Sequence, residues 1–366
     1  MASQHLWSTP VQLGRLALKN RIAVAPMTRI SATEDGHATE NMVRYYQGFA
    51  AGGFGLVITE GVYPDLAHSQ GYLYQPGIGD EAQAQSWKPV AEAVHGAGAK
   101  IIMQLMHAGA LSQGNHWARE TVAPSAVQPK GEQLGFYRGQ GPYPMPREIT
   151  EQEIAGVIQA FAAAALRARK AGFDGVEVHG ANGYLLDQFL TDYANGRKDR
   201  YGGSTENRVR LLVEVVEAVR AAVGPDFLVG IRISQGKVND YHHKWANGQQ
   251  DAEIIFSRVA AAGADYIHTT EFDAQASAFG EANSDGDTLA GYAKRFGKLP
   301  VIANGQLGTP DAADAVLARG GADIVALGKS ALANRDWPRR AVDGVAFEEL
   351  DAGLLQPLAH IKSSEV

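Results

Sequence analysis

The amino-acid sequence predicts an α/β fold, a (β/α)8 TIM barrel with capping insertion loops, and three observations lead to it. Short apolar runs rich in β-branched residues alternate with longer Ala-rich segments of helical period, as in βα units joined into a parallel sheet. Eight such runs fit into the 366 residues, and a barrel of this kind commonly needs about 250 residues plus insertions. Polar residues or glycines follow nearly every run, as expected where eight strands end at one mouth.

The predicted strands are the eight apolar runs, taken in chain order. They cover residues 22–25, 55–59, 100–105, 175–179, 228–233, 266–269, 300–303 and 324–327. Helices are predicted between them at residues 81–96, 151–171, 205–223, 250–262, 288–296 and 310–319. Thr150 or Glu151 begins one helix, and Ser204 is the N-cap of another. Glycines close three of the helices, at Gly172, Gly263 and Gly320.

The residues that follow the strands favour a barrel over a doubly wound open sheet. They are Thr28, Glu60, Gln104, His179, Arg232, Thr270, Gly305, and Gly328 with Lys329. In a barrel these positions converge on one mouth, which is where the active sites of this fold lie. An open sheet would instead spread them along a crevice.

Two long irregular segments interrupt the alternation, at residues 108–147 and 235–249. Such segments are often lids or binding loops. Seven aromatic residues there and in other loops either shape a pocket or pack in the core: Tyr63, Tyr72, Trp117, Phe136, Tyr241, Trp245 and Phe272. No linker or internal repeat divides the chain, so we expect a single domain over residues 1–366.

Composition and charge exclude several classes of function. The formal net charge is -7 and Lys and Arg do not cluster, which argues against nucleic-acid binding because phosphates require clustered cations. No apolar run reaches the ~18 residues that span a bilayer, and the polar start at residues 1–5 lacks a signal-peptide core. We therefore expect a cytoplasmic protein with a small-molecule substrate and no membrane or nucleic-acid partner.

The complete absence of cysteine removes disulfides, thiolate nucleophiles and Cys-ligated iron–sulfur clusters. His242 and His243 are adjacent in a polar loop, and we interpret them as solvated residues rather than metal ligands. The sequence therefore predicts no metal site.

The strongest local pattern is His179, Asn182 and Tyr184 at the end of the fourth predicted strand. If the chain begins to coil after His179, its side chain and that of Asn182 point to one place and could polarise a carbonyl or nitro oxygen, as an oxyanion hole does. Tyr184, with an ordinary pKa of about 10, could supply a proton. A core histidine, a turn asparagine and a packed tyrosine would show the same spacing, so both interpretations stay open at this point.

Five segments closely resemble the old yellow enzyme family of FMN-dependent ene-reductases. They read HGANGYLLDQFL at residues 179–190, DRYGGSTENR at 199–208, LKNRI at 18–22, APMTR at 25–29 and ALGK at 326–329. The resemblance extends over nearly the whole chain. It implies a (β/α)8 barrel with non-covalently bound FMN across its C-terminal mouth.

The resemblance also implies which residues bind FMN. The backbone around three residues would line the isoalloxazine ring: Ala25, Pro26 and Met27. Thr28 would bond the O4 edge of the flavin, and Gln104 and Arg232 would address its pyrimidine side. A guanidinium suits a reduced, anionic flavin because it keeps its charge.

The FMN phosphate would lie over the seventh and eighth strand loops, a known phosphate position in this fold. The residues concerned are Asn304, Gly305, Gln306, Gly328 and Lys329. The family usually has Arg where this chain has Lys329, and lysine binds phosphate as a point charge without the bidentate fork.

The implied reaction is ping-pong. NADH or NADPH reduces FMN, and the flavin then passes hydride to the β-carbon of an activated alkene such as an enone, enal, maleimide or nitroalkene. His179 and Asn182 would hold the substrate oxygen while Tyr184 protonates the α-carbon. Thr28 resembles one branch of the family and residues 104–109 resemble the Cys-bearing branch, so the subclass stays open.

Two other classes of function remain as alternatives. One is a non-flavin TIM-barrel lyase or aldolase with Lys329 as a Schiff-base lysine activated by desolvation. The other is a flavin-binding sensor or interaction protein that uses residues 108–147 as a contact surface. The sequence leaves the oligomeric state open, and a homo-oligomer is compatible with it.

Overall fold

The computed structural model describes residues 5–280 and 285–366, so the polar start that the sequence shows at residues 1–4 lies outside the described residues. The strands are β1 Val11–Leu13, β2 Leu16–Leu18, β3 Ile22–Val24, β4 Leu56–Val62, β5 Lys100–Leu105, β6 Val122–Ala123, β7 Arg147–Glu148, β8 Gly175–Asn182, β9 Leu228–Lys237, β10 Tyr266–Thr270, β11 Val301–Asn304 and β12 Ile324–Leu327. The helices are α1 Glu40–Ala51, α2 Glu81–Gly96, α3 Glu151–Lys170, α4 Leu185–Leu190, α5 Thr205–Arg208, α6 Arg210–Val223, α7 Gln249–Ala261, α8 Leu289–Gly297, α9 Pro310–Ala318, α10 Lys329–Ala333 and α11 Trp337–Asp343.

Eight parallel strands close into a barrel in the order β3, β4, β5, β8, β9, β10, β11, β12. The barrel closes where β12 pairs with β3, with Val325 opposite Ile22 and Leu327 opposite Val24. Helices cross over between successive strands, so the predicted (β/α)8 fold is confirmed and the open sheet is excluded. All eight predicted strands are present.

The strands that carry the site extend further than the sequence predicted. Strand β8 continues three residues past His179 to Asn182, and β9 continues to Lys237. The register shifts there, because the two-residue step from Gly180 to Asn182 in β8 lies opposite a four-residue step from Ile233 to Lys237 in β9. The sequence analysis therefore placed the start of the second insertion, residue 235, inside a strand.

The barrel interior is filled by apolar side chains and plugged at its N-terminal end. Leu13 and Leu18 of the β1–β2 hairpin pack in one cluster with interior residues such as Leu56 and Ile58. Tyr266 lies across Gly230, where an added Cβ would come 2.0 Å from the Tyr266 Cζ atom. The hairpin was not predicted, because three-residue strands carry too few alternating positions to show a period.

The predicted helix starts are confirmed. Thr150 accepts a bond from the Glu153 backbone N–H while Glu153 bonds the Thr150 backbone in return, which forms a capping box. Ser204 caps α5, but the helix predicted over residues 205–223 is divided at Val209 into α5 and α6. Helix α1, which the sequence analysis missed, buries Met42, Tyr45, Tyr46 and Phe49 on one face.

Candidate active site

A cavity of about 480 Å³ lies at the C-terminal end of the barrel strands. This volume is within the range of ordinary small-molecule sites, roughly 300 to 1,000 Å³. Its lining includes Asn182, Lys237, Thr270, Asn304, Gln306, Gly328 and Lys329. The cavity therefore lies where the sequence predicted the mouth of the barrel.

The segment that was predicted to line the flavin follows β3 and has no regular secondary structure. Ala25 is buried and its N–H donates to Leu327 O at 2.9 Å. Pro26, Met27 and Thr28 are half-buried. The Met27 sulfur lies 3.8 Å from the position of a Cβ added at Gly328. Residues 25–28 and the β12 loop are thus neighbours.

Glu60 lies inside β4, which continues past the predicted strand end to Val62, and it holds the backbone just after this segment. Its Oε2 accepts from the backbone N–H groups of Arg29 at 2.9 Å and Ile30 at 3.2 Å. Tyr46 donates its hydroxyl to Oε1 at 3.3 Å. Burial, only partly offset by these donors, raises the pKa of Glu60 to about 7. The sequence analysis placed Glu60 at a strand end but gave it no role.

His179 is buried, and its Nδ1 has no hydrogen-bond partner among the described residues. Its ring centroid is 5.2 Å from that of Tyr184. Asn182 is half-buried and lines the cavity. Its φ of 63° is in the left-handed region, and β8 continues to this residue, so the coil expected after His179 is wrong.

The Tyr184 hydroxyl lies 2.6 Å from the hydroxyl of Tyr72. Burial raises the pKa of Tyr184, so its phenol is protonated at neutral pH. Burial and then the charge of Arg232 lower the pKa of His179 well below its ordinary value. The site therefore contains a neutral imidazole beside a neutral phenol, two groups that suit hydrogen bonding and proton donation to a small molecule.

Arg232 is 5% exposed, and none of the ion pairs found in residues 5–280 and 285–366 includes it. Its Nη2 donates to Asn304 Oδ1 at 2.9 Å, and its Nε is buried without a partner. Thr270 also donates to Asn304 Oδ1, at 2.9 Å. A desolvated guanidinium with an unused donor fits an anionic group such as a reduced flavin.

Beneath this layer a buried carboxylate that the sequence analysis missed organises three donors. Glu177 accepts from Gln104 Nε2 at 2.8 Å, from Tyr266 at 3.0 Å and from His268 Nδ1 at 2.8 Å. Burial is the largest single influence and opposes ionisation, but His268, Arg232 and Gln104 together outweigh it and lower the pKa of Glu177 to about 2. In the sequence, Glu177 is a charged residue inside an apolar strand. A carboxylate at such a position is rarely buried without partners, so this position was the available indication of its role.

The residues predicted to bind phosphate lie together at the cavity. Gln306 has a φ of 52° and Gly305 a φ of 143°, and a Cβ at Gly305 would lie 2.4 Å from Glu271 O. Lys329 begins α10 and is exposed at the rim. This exposure removes the desolvation on which a Schiff-base role for Lys329 depended.

The seven candidate aromatic residues divide into different environments. Tyr241 and Phe272 line the cavity and are 68% and 79% exposed. Trp245 packs against Phe256 in the core, with ring centroids 5.9 Å apart. The others are Tyr63 and Trp117, hydrogen-bonded at 3.3 Å, Tyr72 beside Tyr184, and Phe136, which packs on Tyr137.

The insertion at residues 108–147 contributes a residue that the sequence analysis missed. Tyr137 donates its hydroxyl to Thr28 O at 3.3 Å and packs against Tyr72, with ring centroids 4.7 Å apart and the ring planes tilted by 51°. The insertion therefore reaches the mouth of the barrel.

Within the described part of the chain, no group of three His, Asp or Glu residues has the arrangement of a metal site. His243 is half-buried and its Nδ1 lies 3.0 Å from Gln235 O, so only His242 of the predicted solvated pair is fully exposed. None of the helices described is long and apolar enough to cross a bilayer.

Comparisons with known proteins agree with the geometry. Residues 7–348 match the family described as NADH:flavin oxidoreductase / NADH oxidase. The chain is 34% identical to an NADH oxidase of Thermoanaerobacter brockii over 91% of its length. It spans 50% of that relative and 48% of a metal reductase of Desulforamulus reducens, about half the length of each.

Other relatives match along most of their length. A probable flavin mononucleotide-dependent alkene reductase of Leishmania infantum is 35% identical, with 93% of this chain and 92% of the relative covered. The crystal structure of an old yellow enzyme homologue from Zymomonas mobilis superposes with a TM-score of 0.87 at 33% identity, covering 99% and 98% of the two chains. The chain therefore belongs to the NADH:flavin oxidoreductase / NADH oxidase family, that of the old yellow enzymes, whose cofactors are FMN and NADH or NADPH.

Proposed function

We propose that this protein is an NAD(P)H-dependent FMN oxidoreductase that reduces the C=C bond of activated alkenes such as enones, enals, maleimides and nitroalkenes. The observation that carries the proposal is the pairing of neutral His179 with protonated Tyr184, beside Arg232 with its unused Nε. The reaction needs a site for the substrate oxygen and a proton donor, which His179 and Tyr184 would provide. Arg232 would provide a cation next to the flavin.

FMN, when bound, supplies the hydride chemistry that side chains lack. The segment at residues 25–28 would line the flavin, and Arg232 would hold negative charge on its pyrimidine side. Gln104 would bond the same side, because Glu177 occupies its amide N–H and leaves its carbonyl oxygen to accept. Phosphate binding would fall to the loops that contain Asn304, Gly305, Gln306, Gly328 and Lys329.

His179 and Asn182 would donate to the carbonyl or nitro oxygen of the alkene and polarise the double bond. Tyr184 would give its proton to the α-carbon. The hydroxyl of Tyr72 at 2.6 Å can donate to the Tyr184 oxygen as that proton leaves, which offsets the cost of a buried phenolate. The similar protein of Leishmania infantum is described as a probable flavin mononucleotide-dependent alkene reductase, which supports the class of reaction proposed here.

The proposal is tested on the purified protein under anaerobic conditions. We expect a yellow protein whose flavin absorbance bleaches when NADH or NADPH is added and returns when cyclohexenone or a maleimide is added. A colourless protein that does not bind added FMN would contradict the proposal. Flavin that is reduced but never reoxidised by any alkene would favour the sensor alternative.

A further inference from the structure

The turn formed by Asn182, Gly183 and Tyr184 lies against a buried ion pair that the proposed chemistry does not use. Lys237 Nζ lies 2.7 Å from Asp187 Oδ1, and the two side chains are 1% and 0% exposed. Lys237 is the last residue of β9 and is the register partner of Asn182 in β8. Asp187 lies in the first turn of α4. The pair thus connects the two elements that flank the turn.

The strand side fixes the backbone of Asn182. Its N–H donates to Ser234 Oγ at 2.8 Å, and its carbonyl oxygen accepts from Val238 N at 3.0 Å. Val238 immediately follows Lys237, so the position of β9 beyond the register shift determines where the carbonyl of Asn182 lies. A left-handed asparagine is costly unless its surroundings hold it.

The helix side fixes the backbone of Gly183. Its N–H donates to Asp187 Oδ2 at 2.7 Å, and its carbonyl oxygen accepts from Gln188 Nε2 at 2.7 Å. Gly183 has a φ of 88°, and a Cβ added there would lie 3.1 Å from the Cβ of Lys237. One carboxylate therefore bonds both the turn, through one oxygen, and Lys237, through the other.

We propose that Lys237 and Asp187 are positioning residues that fix the Asn182–Tyr184 turn so that the amide of Asn182 and the phenol of Tyr184 face one ligand. The inference rests on the proposed function, because that function supplies the ligand that Asn182 and Tyr184 would face. A buried ion pair adds little net stability over an apolar pair of similar volume. However, the ammonium of Lys237 and the carboxylate of Asp187 bond in defined directions. The pair therefore holds β9 and α4 at a set distance on either side of the turn.

The test compares Lys237→Met with the double variant Lys237→Met/Asp187→Leu. The single variant leaves a lone buried carboxylate and should lower the melting temperature, whereas the double variant removes both charges and should recover it. We expect the dissociation constant of p-hydroxybenzaldehyde, read from the flavin spectrum, to rise about 10- to 100-fold in the double variant, as small misplacements do in active sites. Lys237 borders the cavity, but its side chain is 1% exposed and its ammonium is paired with Asp187, so the dissociation constant of FMN should stay within about twofold.

Lys100→Met is the matched control. Its ammonium pairs with Asp174 at 3.1 Å but is 41% exposed and lies at the start of β5, at the opposite end of the barrel. This variant should leave the affinity for the phenol unchanged.

A second measurement needs no ligand. Hydrogen–deuterium exchange of a peptide over residues 180–190 should be faster in the double variant than in the wild-type protein, and unchanged in Lys100→Met. If the double variant recovers stability, phenol affinity and slow exchange together, the pair does not position the turn and the proposal is overturned. Failure of the proposed function would show differently, as wild-type protein that binds FMN but neither binds phenols nor reduces alkenes.

Discussion

At the scale of single residues, a sequence pattern predicts which residues form the site, whereas their backbone conformation and buried partners depend on packing. The spacing of His179, Asn182 and Tyr184 identified the cluster, but the expected coil was wrong, because β8 continues past His179 to a left-handed Asn182. Glu177 was missed because a buried carboxylate is explained only by donors from two other strands, β5 and β10. Arg232 was predicted to bind the flavin, but the sequence could not show that its Nε is buried without a partner among the described residues.

Replacing the proposed proton donor should separate the two half-reactions. In Tyr184→Phe, flavin reduction by NADPH should be normal, whereas flavin reoxidation by cyclohexenone should slow by about 10² to 10⁴, the usual contribution of a positioned acid. Stopped-flow absorbance measures both steps. Tyr143→Phe, in the same apolar cluster, is the control. Loss of flavin reduction in Tyr184→Phe would contradict the assigned role.

The proposed oxygen site should be measurable by binding alone. His179→Ala/Asn182→Ala should weaken p-hydroxybenzaldehyde binding about 100-fold, if two hydrogen bonds of about 1.5 kcal/mol each are lost. Titration followed by flavin absorbance gives the dissociation constant. Unchanged binding would exclude both residues from the oxygen site.

Glu60 should give the protein a pH-dependent stability. Its folded pKa of about 7 is above the ordinary value, so its contribution is fully present below the unfolded pKa and is lost as the pH rises through about 7. Glu60→Gln keeps an oxygen acceptor and stays neutral. The free energy of unfolding of Glu60→Gln minus that of the wild type should therefore increase by roughly 3 kcal/mol as the pH rises from 4 to 8. A difference that does not change with pH would show that Glu60 does not titrate in this range.

At the scale of elements, the sequence predicted long periodic segments well and short ones poorly. Helix α2 has the predicted bounds, and the start of α3 follows from its capping box. Strands β1, β2, β6 and β7, of two or three residues each, were not predicted because they hold too few side chains to show alternation. The ends of β8 and β9 were placed too early, because their extensions are stabilised by contacts between the strands and α4 rather than by local sequence.

The capping box at α3 offers a direct measure of one element's stability. Thr150→Ala removes the side-chain acceptor for the Glu153 N–H and should cost about 1 kcal/mol. Thr150→Ser retains the hydroxyl and should cost much less. Urea unfolding followed by circular dichroism measures both, and equal losses would show that the hydroxyl does not act as a cap.

At the scale of the whole molecule, one buried ion pair joins the flavin-lining segment to residues 354–365. Arg29, adjacent to Thr28, bonds Glu365 through both terminal nitrogens, at 2.5 and 2.6 Å, and also bonds Ala359 O at 3.0 Å. Both side chains are buried. The pair spans nearly the whole sequence, so no local pattern could have predicted it.

Breaking this pair should loosen the flavin site from a distance. Glu365→Ala leaves Arg29 buried without its partner and should cost about 3 to 5 kcal/mol of stability, with weaker FMN binding because Arg29 continues the segment at residues 25–28. Glu348→Ala is the control, since its carboxylate is 66% exposed and Arg340 keeps a second partner in Asp336, and exposed pairs contribute about 0 to 1 kcal/mol. Thermal melts with and without FMN measure both effects. Equal losses in the two variants would contradict the expectation.

The closure of the barrel by β12 against β3 also has a consequence for how the protein is made on the ribosome. Strand β3 ends at residue 24 and its partner β12 begins at residue 324, so about 300 residues separate them, or roughly 15 to 60 s of translation at 5 to 20 residues per second. During that time one edge of β3 has no native neighbour, and an unpaired apolar strand edge invites association with other chains. Nascent chains halted before residue 324 should therefore need a chaperone that chains released after β12 do not.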